Sequence, residues 1–564
     1  MAFHLGFEYH RGLIEAIWKE LLKNHAHDSI GCCCSDKVHR AIGDRFFLAE
    51  ERTDRLIEFY KRKIADHMDR GDGSDRLVVF NTLPYERNEV VEAEIITRTR
   101  KFMLTDEKGT PVPFKIINRE IVDPGLIDRQ IVHYGNYDPF VKYQIVFEGS
   151  IPSMGYQTYL IRECAQEPCW DEGVKKEDYV MENSWYQVTV EHNGTLTIQD
   201  KRNGEEYRNV LLVEDGSDDG DGYDYSPVEN DYVLTSEDAE ADIEVRDYGM
   251  LSRAHIGFTM KLPENLESRK KRIKDGEMDV VFQVELKQDS PVIEVTMEVD
   301  NRARDHRVRV CIPNNLGTEA SVSDNQFGTI RRPAADLAME VWEQEKWSER
   351  PDSIYPFLSF VRQDNDRGLA VLTNSVREYE LTGEGFDQIA LTIFRSVGVL
   401  GKEELVRRPG RPSGIRMETP DSQMQGHQVY EFALTSDMEH GAQRAAEYTT
   451  PLVTYNKMPY NAMKLNVPDI QTPYSYSLLQ IDNPDITVSA LKKEENGEGI
   501  LLRVYNATDS VQKGEMVSEL QAVEELMLDE TKKCGFSGRE LVLKPNQIRT
   551  ILFQNGVSGF SGKA

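Results

Sequence analysis

The sequence predicts a mainly β protein with a short N-terminal helical segment: a helical-bundle remnant followed by antiparallel β-sandwich domains. Three observations carry this expectation. The apolar period changes from 3.6 to 2 near residues 71–75. Turn signals recur between many short alternating runs. A chain of 564 residues is too long for one core, so three or four domains are expected.

The elements follow in order. Ile14, Ile17, Trp18, Leu21, Leu22 and His25 recur at three- and four-residue spacing, which predicts one buried helix face with His25 in the core. Asp28-Ser29-Ile30-Gly31 interrupts it, with Gly31 suited to a left-handed turn. Ser35 is placed to cap a second, longer helix whose stripe runs from Val38 through Ile42, Ala49 and Leu56 to Ile64. Two helices cannot bury both faces alone, so they are expected to join a bundle or pack on another domain. After the linker at 71–75, Val91, Ala93 and Ile95 alternate with polar residues, as do Tyr143, Ile145 and Phe147. Tyr186, Val188 and Val190 lead into His192-Asn193-Gly194, with Leu196 and Ile198 leading out, which predicts a tight hairpin. Runs ending at Leu286 and starting at Ile293 flank a loop from Gln288 to Pro291, and Asn496-Gly497 precedes another strand. The expected units are 1–70 (helical bundle segment), 71–170 (β domain), 171–455 (large β-sandwich) and 456–564 (C-terminal β-sandwich).

Net charge is −30, from 67 basic and 97 acidic residues. A nucleic-acid partner needs a basic surface, so none is expected. No run of eighteen apolar residues occurs, and no membrane span is expected. Seven cysteines, three of them adjacent (Cys32, Cys33, Cys34), make no disulfide framework and favour a reducing, cytoplasmic location. The N-terminus lacks a basic and apolar leader pattern. An anionic substrate would need a local cationic cluster against this field.

The densest set of ligand-type residues is Asn24-His25-Ala26-His27-Asp28-Ser29-Ile30. His27 and Asp28 stand where the helix pattern ends, free to point away from its core. Imidazole is a common zinc ligand, and a neighbouring carboxylate accepts sugar hydroxyls or orients the ring. The same residues also read simply as a helix end. Cys32 to Cys34 do not have zinc-knuckle spacing and read as small buried residues. Asp221 and Asp224, in GDGYD, read as a substrate edge or a polar turn rather than a catalytic pair.

The run LLKNHAHDSIGCCCSDKVH resembles the signature of bacterial family-38 glycoside hydrolases, and further segments resemble that family in its order. They are VFNTLPYERNEVV, IPSMGYQTYLI, SDDGDGYDYSP at 217–227, DNQFGTIRRP at 324–333, RRPGRPSGI at 407–415, TPDSQMQG at 419–426 and GILLRVYNAT at 499–508. LGFEYHRGL at 5–13 and DPGLIDRQIVHYGNYDPF at 123–140 are similar to the mannosylglycerate hydrolase branch of these α-mannosidases.

The resemblance implies an architecture of N-terminal α/β barrel, helical bundle and β-sandwiches, with this chain beginning inside the bundle. It implies a zinc, or another divalent metal, held by barrel residues and completed by His27. It assigns Asp28 and Tyr223 to mannose hydroxyls and Arg332 to bracing the site, with Asp221 beside Tyr223 placed at the substrate edge or in a polar turn by its residue context alone. No residue here matches the nucleophile or the acid/base, so the chain alone is expected to be inactive and not to retain the metal. The implied reaction is retaining hydrolysis of an anionic mannoside, 2-O-α-mannosyl-D-glycerate, to mannose or mannose phosphate and glycerate. A separately encoded N-terminal catalytic piece is the partner this implies, and homo-oligomerisation is compatible with it. For the glycerate carboxylate the candidates are Arg129 and His133, or Arg407, Arg408 and Arg411, because an arginine fork suits that group. The competing readings are a non-catalytic carbohydrate-binding or scaffolding β-sandwich protein and a general α-mannosidase. The sequons at Asn193 and Asn506 would suit a eukaryotic-type lysosomal form of the latter, which the unpaired cysteines and the bacterial-looking motifs oppose.

Overall fold

The computed structural model of the protein describes residues 1–68, 75–127, 135, 137–166, 168, 172–457 and 470–554. Helices α1 (Arg11–Lys23), α2 (His27–Ile30) and α3 (Asp36–Asp66) precede a chain of antiparallel sheets. No helix among the described residues is long and apolar enough to cross a membrane.

The helix stripes form as expected, and Ile42, Ala49 and Ile64 of the α3 stripe are buried, but most of the α1 stripe is not. In α1 only Ile17 is buried, while Trp18 and Leu22 are exposed. His25 is exposed too; its neighbour Asn24 is the buried polar residue, donating to the Ile42 carbonyl at 3.1 Å and accepting from Arg45 at 3.2 Å. Gly31 keeps a right-handed φ of −78°, and Cys32 takes the left-handed conformation with φ 56°. Ser35 precedes α3 without a side-chain capping bond. The turn therefore closes through backbone bonds, Gly31 N–H to the His27 carbonyl at 3.1 Å and Cys32 N–H to Ser29 at 3.2 Å.

Strand Arg87–Thr97 pairs with Phe140–Ile151 so that Val91, Ala93 and Ile95 face Phe147, Ile145 and Tyr143. All six are buried in the core of a first sandwich. Its second sheet is completed from far along the chain. Strand Val453–Lys457 pairs with Asp75–Asn81, and Ser475–Ser477 pairs with Gly155–Glu163. The expected boundary at 455/456 falls inside the first of these strands.

The large sandwich contains a ten-stranded, a six-stranded and a four-stranded sheet around one apolar cluster. The hairpin read from Tyr186 to Ile198 forms with Val190 opposite Leu196. Gly194 takes φ 85° at its tip, where a Cβ would press on Ile256 and Phe258 at 3.1–3.2 Å. Leu286 pairs with Ile293 across the Gln288–Pro291 loop. A smaller sandwich closes the chain, with Lys493 opposite Ile500 after the Asn496-Gly497 turn. Asn506 is fully buried there and donates to the Ser510 and Leu543 carbonyls, so its sequon is inaccessible in the fold.

Each β unit holds the helical segment at a different point. Ile64 and Ala65 of α3, with Leu5 and Phe7 of the N-terminal segment, pack on Val78, Phe80 and Tyr156 of the first sandwich. Arg11 reaches the C-terminal sandwich, with Nη1 2.9 Å from Glu495 Oε2. Arg40 forms a two-pronged pair with Asp421 of the large sandwich at 2.7 and 2.9 Å.

The buried carboxyl of Asp75 has one oxygen bonded to Thr97 Oγ1 at 2.7 Å and the other without a hydrogen-bond partner among the described residues. Burial pushes its pKa up to about 6, so the folded protein favours the neutral acid. Its contribution is full below the ordinary carboxylate range near pH 4 and is lost as pH rises through 6. The shift corresponds to about 2–3 kcal/mol at neutral pH. Asp75→Asn should therefore remove most of the loss in melting temperature between pH 5 and 7.5; an unchanged pH slope would refute this.

Candidate functional site

The loop 217–227 is acidic, yet its acids turn inward. Asp218 and Asp221 are both buried. Arg395 clamps Asp218 at 2.6 and 3.1 Å and also donates to the Asp221 and Asp224 carbonyls at 3.1 and 2.8 Å. Asp221 Oδ1 accepts the backbone N–H of Tyr223 and Asp224 at 2.9 and 2.8 Å. Its Oδ2 accepts Lys402 N–H at 2.7 Å and Arg408 Nη2 at 2.5 Å. Arg408 Nε lies 2.6 Å from Asp224 Oδ2. Gly220 is needed for this winding, because a Cβ there would fall 2.1 Å from the Asp224 carbonyl oxygen.

With its acids held inside, the loop leaves Tyr223 on the outside. Its ring lies over Gly414, where a Cβ would sit 2.2 Å from the phenolic oxygen. The turn after α2 stands opposite: a Cβ on Gly222 would be 3.9 Å from Cys33 Cα. Burial, followed by the nearby Cys33, Asp28 and Asp221, pushes the Tyr223 hydroxyl pKa up, keeping it a donor. Cys33 Sγ lies 3.6 Å from Asp28 Oδ1, and His27 Nε2 lies 3.4 Å from the same oxygen. The His27 side chain is 95% exposed and that of Asp28 56%. Glu349 approaches from a third side, its carboxyl pKa raised by burial and then by Asp224. Residues nearly 200 positions apart thus form one open polar wall of Asp28, Cys33 and Tyr223.

Several sequence expectations change here. Of the two readings of Asp221, substrate edge or polar turn, the structure shows the turn: it is an internal strut whose oxygens are both engaged. Arg408, a carboxylate-binding candidate, is buried between Asp221 and Asp224. Arg407 pairs with Asp352 and stacks on Tyr225 at 4.8 Å, whereas Arg411 is exposed. Arg332 donates to Ser323 at 2.6 Å and stacks on Tyr355 at 5.4 Å; among the described residues no hydrogen bond or ion pair joins it to the Tyr223 loop. Cys32 is exposed, and Cys33 and Cys34 are half-buried, because the turn carries them onto the surface. Arg129 and His133 lie outside the described residues. Gly414 and Glu349 were not singled out from the sequence; only the glycine in RRPGRPSGI offered a signal.

Zinc does not fit these residues as a self-contained site. Among the described residues no three His, Cys, Asp or Glu side chains converge on one point. His27 offers one imidazole.

The fold and site define a protein of linked antiparallel sandwiches carrying a helical strut, with a polar wall where strut and large sandwich meet. Residues 181–399 match the model of the glycosyl hydrolases family 38 C-terminal domain, and residues 485–551 match that family's C-terminal beta sandwich domain. The chain belongs to glycosyl hydrolase family 38. It is 26% identical, over 97% of its length, to a protein of Halalkalibacterium halodurans named "Putative mannosylglycerate hydrolase". It is similar in fold to a crystal structure of an alpha-mannosidase from Enterococcus faecalis (TM-score 0.82, 23% identity, 98% of this chain, 65% of that one). A second crystal structure, of a family-38 protein from the same organism, matches with TM-score 0.80 and 23% identity over 98% of this chain and 67% of that one. The chain spans 63% of the length of the Halalkalibacterium relative.

Two substitutions probe the wall. Asp221→Ala leaves buried Arg408 with Asp224 alone and frees the Tyr223, Asp224 and Lys402 N–H groups, and should destabilise the large sandwich by about 3–5 kcal/mol, read from its urea transition. Gly414→Ala should displace the Tyr223 ring without unfolding the chain. Nitration of Tyr223 by tetranitromethane, followed by peptide mass spectrometry, should then differ clearly from the parent, and an identical rate would contradict the packing described.

Proposed function

We propose that this chain supplies the substrate-binding wall of a retaining α-mannoside hydrolase whose substrate is 2-O-α-mannosyl-D-glycerate. One observation carries the reading: Asp28, after a surface helix and exposed, and Tyr223, half-buried on a distant acidic loop, lie on one open face. The Asp28 carboxylate accepts sugar hydroxyls and the protonated Tyr223 hydroxyl donates to them, a complementary pair for a polyol. His27 extends from the same turn as one ligand of a zinc or similar metal whose other ligands lie outside this chain. The name of the Halalkalibacterium relative supports the choice of substrate. Arg129 is the group we assign to the glycerate carboxylate.

Retaining hydrolysis needs two carboxyl groups roughly 5–5.5 Å apart. Asp221 cannot serve as one, being sealed in its own ion pair, and we assign both to a catalytic piece outside these 564 residues. The exposed Trp18, Leu22 and Phe47 of α1 and α3 support a further domain seated there, since apolar side chains clustered on helix faces mark contact surfaces.

An aryl α-mannoside assay tests this directly. The chain alone should show no turnover above background, with or without added zinc, and turnover should appear on adding the N-terminal catalytic piece. Robust hydrolysis by the chain alone would end the proposal. In the assembled enzyme Tyr223→Phe should lower kcat/KM about tenfold, the worth of one lost hydrogen bond of about 1.4 kcal/mol. Arg129→Ala should impair mannosylglycerate turnover more than that of the neutral aryl mannoside; equal losses would remove Arg129 from the carboxylate.

A further inference from the structure

A cavity of about 640 Å³ lies between the first and large sandwiches, away from the Tyr223 wall. It is open to solvent and bordered by strand Arg87–Thr97, the start of strand Val292–Asn301 and the helix Gly441–Thr449, with Asn374 and Glu431 exposed at its rim. Its size falls in the range of small-molecule pockets, roughly 300–1,000 Å³. Most of its charged groups are already neutralised. Arg87 pairs with Glu89, Lys287 with Glu294 and Arg444 with Glu447, at 2.8–2.9 Å. Seven carboxylates nevertheless line it against three cationic side chains, a balance that rejects anions.

What remains unengaged is a set of polar groups on flat frames. The Trp185 indole N–H, the Asn374 amide, the Glu431 carboxylate and the Tyr448 hydroxyl make no side-chain hydrogen bond among the described residues. Gln443 donates to Glu447, leaving its carbonyl oxygen free. Burial and the nearby Glu294 and Glu431 push the Tyr448 pKa up, so the hydroxyl remains a donor. Arg202 stacks at 4.1 Å on Trp185 and fixes its plane, while the half-buried indole lines the cavity.

We propose that this interdomain cavity is a binding site for a neutral saccharide, distinct from the Tyr223 wall. A sugar presents C–H faces that suit an aromatic ring and alternating donors and acceptors at its rim. Trp185 and Tyr448 provide the first, and the indole N–H, Asn374, Glu431 and Gln443 provide the second. An anionic sugar meets the surplus carboxylates and is excluded.

The test is isothermal titration calorimetry of the full chain with α-1,2-mannobiose, repeated with Trp185→Ala, Asn374→Ala, Tyr448→Phe and Tyr223→Phe. Saturable binding is expected with Kd of about 0.1–5 mM, an affinity of about 3–5 kcal/mol. Asn374→Ala and Tyr448→Phe should weaken it at least fivefold at unchanged melting temperature, and Trp185→Ala should abolish it. Should Trp185→Ala fail to fold, the other two cavity variants decide. Tyr223→Phe should leave binding unchanged. No saturable heat up to about 50 mM would overturn the proposal. So would binding that survives the cavity variants but is lost in Tyr223→Phe, or displacement of the disaccharide by spermidine at lower concentration, which would make this a cation site.

Discussion

The candidate site depends on a long helix fixed at both ends. Helix α3 has 31 residues, so it spans about 46 Å. Its C-terminal end is held by burial, with Ile64 and Ala65 locked into the first sandwich. Its N-terminal end is held by direction: Arg40 meets Asp421 in a planar two-pronged pair, and Asp36 accepts the Asp421 backbone N–H at 3.1 Å. That exposed contact supplies geometry more than stability. Together the two ends bring the α2 turn against the 217–227 loop, so that His27 and Asp28 share a face with Tyr223.

The second requirement is electrostatic. A loop with four aspartates within seven residues would repel itself and splay into water. Arg395 and Arg408, fixed in the large sandwich, draw two of its carboxylates inside and satisfy them with backbone N–H groups as well. The cost of burying these ions is offset because each carboxylate has several partners. Tyr223, which follows them in the loop, is thereby left half-exposed on its outer side.

Much of the fold was legible in the sequence because period-2 runs such as Val91, Ala93, Ile95 carry their own register. The hairpins at His192-Asn193-Gly194 and Asn496-Gly497 were legible from turn chemistry. The helices were legible as helices but not in their burial, since a stripe such as Ile14 to His25 says only that some surface covers it. The site was legible in part. His27, Asp28 and Tyr223 rest on a family resemblance, and the fold brings their segments together. Asp221 and Arg408 were misjudged because a charged side chain reads as exposed until its partner, here nearly 190 residues away, is known. Gly414 matters for the space it leaves, which no residue pattern displays.

The strands that close the first sandwich bear on how the protein is made. Ile96 donates its backbone N–H to Asn456, 360 residues later, and Asp75–Asn81 waits for Val453–Lys457 to pair its edge. At roughly 5–20 residues per second, a ribosome needs roughly 20–70 s to deliver those partners. The unit synthesised first after the helices is thus finished only after the large sandwich has emerged. For that interval the strand LVVF runs along an open edge, the kind that captures stray strands. Cotranslational folding here proceeds from the middle of the chain outward, and the nascent edge is the stage at which a chaperone would matter most.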